Sequence, residues 1–185
     1  MLSYITLGHT NTPMLTSVRR IQVEDAEGFR ECLDSVARER AYLAQVEALP
    51  IERVREFVAK SVEQDAAQYV ATVDGVVVGW CDVFPHWAYA LSHVGTLGMG
   101  VHAAHRGQGL GRTLLVKTLQ HALKNGVYRV TLEAREDNLR AIRLYEKMGF
   151  KHEARTPCAL RFEGVFYTGV QMALLQGPAS GRFLV

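Results

Sequence analysis

The spacing of apolar residues changes along the chain, and each change marks an element. VRRIQV, from Val18, is short and β-branched. Glu24 and Asp25 follow as cap candidates before Phe29, Leu33 and Val36 recur at helical spacing, so a strand leads into a helix. Pro50 stands where a helix can begin without losing a needed donor, and Ile51, Val54, Val58 and Val62 repeat every three or four positions behind it. From Gln68 the period falls to two. YVATV and VVVGWCDVF flank Asp74-Gly75, whose tolerance of positive φ predicts a tight hairpin. The next run, His93 to Val101, is interrupted by Gly95, Gly98 and Gly100, and glycine in a strand marks a bulge or the close approach of another backbone or a ligand.

Beyond a glycine loop at 107–111, Leu110, Leu114, Leu115, Leu119, Ala122 and Leu123 form one helical stripe, ended by Asn125-Gly126. VYRVTLEA alternates like a strand. Asp137 or Asn138 then caps a helix with Ile142, Tyr145 and Met148 on its face and Gly149 at its end. Two more strands follow, near 150–155 and 165–174. Hairpins mixed with crossovers predict an α/β chain of the α+β type, with a mixed, mainly antiparallel sheet of about seven strands flanked by about four helices. A single domain is expected over 17–175, between an N-terminal tail (1–16) and a C-terminal tail (176–185) that is loosely held.

Composition narrows the function. A length of 185 residues, 48% of them hydrophobic, suits one domain with a sizeable core. The net charge of +2 is too small to act as an electrostatic footprint for nucleic acid or membrane, and like charges form no block. Cys32, Cys81 and Cys158 are odd in number and far apart, which fits neither a disulfide framework nor a paired metal site. Cys81 and Cys158 have no activating partner in sequence, so burial is expected of both. Without a basic n-region or a long apolar run near its start, the chain is expected in the cytoplasm.

The candidate chemistry lies in VHAAHRGQGLGRTLL. Its glycines 107, 109 and 111 join a strand to the first turn of a helix, where spare N–H groups and the positive helix end favour an anion such as a pyrophosphate. The same glycines would also serve a plain tight turn. A dinucleotide fingerprint fails because Arg112 occupies its last glycine position, and a Walker loop fails because the chain has no Gly-Lys pair. His102 and His105 form an HxxH pair without a third ligand nearby, so no metal is expected, and His102 is read as shaping the turn. Trp80, Phe84, Trp87 and Tyr89 either floor a pocket or serve as core and edge aromatics.

LGMGVHAAHRGQGLGRTLL, followed about two dozen residues later by EDNLRAIRLYEKMGF, resembles the acyl-CoA-binding half of the GNAT superfamily of N-acetyltransferases. ALRFEGVFYTGVQMAL and ERAYL further resemble the branch that acts on amino acids, antibiotics and protein amino termini. The resemblance implies acetyl-CoA as co-substrate and an acceptor that is the primary amine of a small molecule or peptide. It also allows a homodimer, or a CoA-sensing or interaction module without catalysis. It places Met99, Gly100 and Val101 along the pantetheine arm and Arg106, Gly107, Gln108, Gly109, Leu110, Gly111 and Arg112 around the pyrophosphate. Asn138 would hydrogen-bond the arm, and Tyr145 would give its proton to the departing thiolate.

Transfer to nitrogen also needs a proton acceptor, because an alkylammonium has a pKa near ~10.4. Many members of the superfamily carry a glutamate where this chain has Gly95, Thr96 and Leu97. The nearest substitutes by sequence are His93 and Glu133.

Overall fold

The computed structural model describes residues 15–181; the earlier part of the expected N-terminal tail and residues 182–185 lie outside them. Asp74 and Gly75 take φ values of 49° and 83°, the left-handed pair that a two-residue hairpin turn requires. The chain reverses there and zips β2 (Ala67–Val73) to β3 (Val76–Pro85) with Val73 opposite Val76. β1 (Thr16–Arg20) lies antiparallel on β2, and β4 (Val94–Val101) antiparallel on β3. Helix α3 (Leu110–Lys124) then crosses over, so β5 (Arg129–Arg135) runs parallel to β4. After α4 (Leu139–Lys147), β6 (Lys151–Phe162) and β7 (Val165–Leu175) close the sheet in the order β1-β2-β3-β4-β5-β7-β6. The expected mixed, mainly antiparallel architecture is the observed one. No helix among the described residues is long and apolar enough to cross a membrane.

Each face of the sheet has its own core. On one side Leu114, Leu115 and Leu119 of α3 meet Cys81, Val83 and Val130, with Ile142 and Tyr145 of α4 in the same cluster. At about 1.5–3 kcal/mol for each fully buried Leu or Val, this stripe holds α3 to the strands far more firmly than its helix propensity would. On the other side α1 (Ala26–Ala37) and α2 (Ile51–Glu63) bring Phe29, Val54 and Val58 onto Val70 and Trp80.

Two expectations are corrected at the edges. β6 runs on to Phe162, well past the expected end near 155, because its register shifts between Thr156 and Leu160. Pro157 falls within that shift on the outermost strand, where its missing donor breaks no ladder. Cys158, with φ of 56°, is exposed there and not buried. After β7 the Gln176 side-chain amide donates to the Val127 carbonyl at 2.9 Å, and a 3-10 turn follows over Gly177–Gly181.

One topological fact positions the site. β4 and β5 pair only at Val94–Arg129, Gly95–Val130 and Thr96–Thr131. Beyond Thr96, β4 keeps its ladder with β3 but has no partner on its other side, so backbone groups there are open to a ligand.

Candidate active site

At the end of β4 the His102 ring nitrogen Nδ1 accepts the Ala104 N–H at 3.3 Å, which fixes the turn as its sequence position suggests. Gly107 and Gly109 follow with φ values of 82° and 85°, and Gly109 is the N-cap of α3. The first bond of that helix runs from the Thr113 N–H to the Gly109 carbonyl at 3.1 Å. The N–H groups of Leu110, Gly111 and Arg112 therefore lack intrahelical acceptors and carry the positive end of the helix dipole.

They face a cleft of about 520 Å3 that is also lined by Met99, Gly100, Val101, Asn138 and Tyr145. Two features of the cleft fit a diphosphate. A Cβ added at Gly109 would meet nothing within 4 Å, so the loop is open where a ligand would approach. Arg112, Arg140 and Lys147 give the lining positive charge. The last two were absent from the sequence reading, although Arg140 and Lys147 frame α4 in the motif already singled out; only the fold turns them toward the loop.

Three nominated residues have partners within the protein. The Arg106 guanidinium is occupied: Nε donates to the Val101 carbonyl at 2.8 Å, and Nη1 donates to Glu39 Oε2 at 2.9 Å. It ties the glycine loop to the connection between α1 and α2. Gln108 donates to the Ala104 carbonyl at 3.3 Å and lies outside the cleft lining. Asn138 Oδ1 accepts the Ala141 N–H at 3.2 Å and caps α4, so its NH2 group is what remains for a ligand.

Tyr145 is enclosed, with its ring centroid 5.7 Å from that of Phe150, and burial raises its pKa above the ordinary tyrosine value. Its hydroxyl keeps its proton at neutral pH. A thiol of pKa near ~8.5 is the stronger acid, so Tyr145 suits hydrogen bonding to a developing thiolate better than surrendering a proton to it.

The glycines of β4 admit side chains from β3 rather than a ligand. A Cβ at Gly100 would stand 2.3 Å from the Trp80 ring, and one at Gly98 would stand 2.8 Å from Asp82 Oδ1. Trp80 and Asp82 thus lie flat across β4. Replacing Gly100 by alanine is expected to cost about 1–3 kcal/mol, since the ring is held on both sides, and to lower Tm by roughly 3–10 °C in thermal unfolding.

Asp82 and Trp80 line a second cavity, of about 320 Å3, beneath α1 and α2. Leu43 and Met99 line both spaces, so the two adjoin. The Asp82 carboxyl is partly buried, with Oδ1 lying over Gly98, and burial pushes its pKa up to about 7. Opposite it in the register of β2 stands Gln68, fully buried.

Asp82 was missed in sequence because it sits in VVVGWCDVF, read as a hairpin strand. The available signal was a lone carboxylate in an apolar run. The two nominated bases are placed elsewhere. His93 is exposed at the start of β4, where its carbonyl accepts the Tyr128 and Arg129 N–H groups, and Glu133 is exposed over Gly169 of β7; neither lines either cavity. Trp87 and Tyr89 are 91% and 96% exposed, so of the aromatic cluster it is Trp80 that reaches the pocket.

Residues 30–150 match the model of the acetyltransferase (GNAT) family, and the chain belongs to that family. It is 48% identical over 52 residues to a mycothiol acetyltransferase of Streptosporangium roseum, covering 28% of this chain and 15% of that protein. It is 38% identical over 106 residues to an N-alpha-acetyltransferase of Sulfurisphaera tokodaii, covering 51% of this chain and 62% of that one. The chain therefore spans less than two thirds of either relative. In fold it is similar to a GNAT superfamily phosphinothricin acetyltransferase of Sinorhizobium meliloti in complex with acetyl-CoA, with a TM-score of 0.83, 14% identity, and coverage of 91% of this chain and 92% of that one.

Proposed function

We propose that the chain is an acetyl-CoA-dependent N-acetyltransferase that moves an acetyl group to the primary amine of a small molecule or peptide, by direct attack within a ternary complex. The observation that carries this reading is the seam between the two spaces. A cleft fitted to a diphosphate adjoins a second, largely apolar cavity whose one carboxylate among the described lining residues, Asp82, has a proton affinity near neutrality. The names of the relatives agree, since one is an N-alpha-acetyltransferase and another acetylates L-methionine sulfoximine and L-methionine sulfone.

Acetyl-CoA, when bound, supplies an activated thioester. The amides of Leu110, Gly111 and Arg112, with Arg112 and Arg140, hold its diphosphate. Asp82 pairs with the incoming ammonium and takes its proton, which exposes the nitrogen lone pair. A backbone N–H near Gly100 or Val101, on the unpartnered side of β4, stabilises the oxyanion; as the C–S bond breaks, the Tyr145 hydroxyl hydrogen-bonds the leaving sulfur, which takes up the second proton shed by the nitrogen and departs as the thiol.

Tyr145→Phe tests the assignment. Thiol release is expected to slow by about 10- to 100-fold while acetyl-CoA binding holds within about twofold, because the hydroxyl acts on charge that develops only during transfer. An unchanged rate would remove Tyr145 from the reaction. A chain that binds acetyl-CoA yet acetylates no amine would be a sensing module instead.

A further inference from the structure

We propose that the acceptor is a small apolar amine with a single ammonium group and no second charge, such as an arylalkyl or branched alkyl monoamine; this rests on the acetyltransferase reading above. The cavity that ends on Asp82 is walled by Phe29, Leu33, Val54, Phe57 and Trp80. The rings are mutually braced: Phe29 meets Trp80 edge-on at 5.9 Å and stacks with Phe57 at 6.3 Å. Besides Asp82, the polar side chains among the described lining residues are Gln45, which is exposed, and Arg53. Arg53 is 70% exposed and bonds Glu56 at 3.1 Å, so its charge lies in solvent and is already partnered.

An acceptor in this space finds one counter-ion and otherwise hydrocarbon and aromatic faces. Its ammonium pairs with Asp82, and its apolar body displaces water from the rings. A second ammonium would find no second carboxylate among the described lining residues. The carboxylate of an α-amino acid, attached to the carbon that bears the nitrogen, would be held beside Asp82 itself, like charge against like charge on a largely apolar wall. The pocket thus rejects zwitterions and polyamines by what it lacks.

The test uses the whole chain, acetyl-CoA and matched acceptors, with thiol release and product mass as readouts. 2-Phenylethylamine is set against phenylalanine, which adds only a carboxylate. Hexylamine is set against 1,6-diaminohexane, which adds only a second amine, and a short peptide beginning with phenylalanine is a fifth acceptor. The monoamines are expected to exceed their charged counterparts and the peptide in kcat/KM by about 100-fold or more, the scale seen when a site leaves a polar group unpaired. Equal or faster acetylation of phenylalanine, the diamine or the peptide overturns the monoamine class while leaving the enzyme reading intact. Silence with every acceptor, despite acetyl-CoA binding, overturns both.

Discussion

Replacing Asp82 by asparagine is expected to lower kcat/KM by about 10²- to 10⁴-fold, the range for loss of a positioned general base, with acetyl-CoA affinity unchanged because Asp82 lines the other cavity. The pH profile makes the test specific. With the Asp82 carboxyl near 7, kcat/KM for the parent enzyme rises with pH up to about that value, as the carboxylate becomes free to accept a proton. It then levels until the amine begins to lose its own proton near ~10. In Asp82→Asn the acid limb near 7 disappears. The residual rate follows the free-amine fraction, climbing about tenfold per pH unit toward ~10, so the deficit narrows in alkali. A variant that keeps the limb near 7 would exclude Asp82 as the base and send the search back to Glu133 and His93.

The same substitution is expected to stabilise the fold, in the opposite direction to its effect on activity. In the unfolded chain Asp82 titrates near ~3.9, and in the folded protein it titrates near 7. Between those values the folded state holds the extra proton, so stability falls as pH rises from about 4 to about 7 and is flat above. Asparagine has no such liability. At pH 8 Asp82→Asn is expected to exceed the parent by on the order of 2–4 kcal/mol in denaturant unfolding, with the gap closing toward pH 4. Loss of activity joined to gain of stability is the mark of a charge kept in an apolar place for its chemistry.

What could be read without coordinates follows from the range of the forces involved. The helix at 110–124 and the Asp74-Gly75 turn depend on local periodicity and local φ, and both were legible in the sequence. The glycine loop was legible because helix-end electrostatics need only neighbours in sequence. The glycines of β4 were flagged for the right physics, close approach, but the approaching groups are Trp80 and Asp82 of the adjacent strand and not a ligand. That distinction is a matter of register, which sequence does not display. Arg106 illustrates the same limit: its partner Glu39 lies 67 positions away, so nothing local tells a phosphate ligand from a brace. His93 and Glu133 are the nearest residues by sequence to the position where many superfamily members carry a glutamate, and neither lines a cavity. Asp82, the base proposed above, stands on β3, where Gly98 opposite it yields room for its carboxylate.

Gly109→Asp separates the fold of the glycine loop from its use. With φ of 85° the position favours glycine, yet aspartate is among the residues that enter the left-handed region most readily, and nothing lies within 4 Å of the Cβ it would add. As the N-cap of α3, an aspartate also places its carboxylate at the positive helix end, which offsets part of the backbone cost. Stability is therefore expected to change by only about 1 kcal/mol. Acetyl-CoA binding is expected to weaken by about 100-fold or more. The new carboxylate competes for the N–H groups of Leu110, Gly111 and Arg112 and repels the diphosphate, and charge-assisted bonds of this kind are worth about 1.5–3 kcal/mol each. Titration calorimetry with acetyl-CoA reads the loss, and raising the salt concentration is expected to recover part of it by screening the repulsion. Affinity within a few-fold of the parent in a normally folded variant would mean that the diphosphate is held elsewhere, and the direction in which the thioester enters the seam beside Asp82 would have to be redrawn.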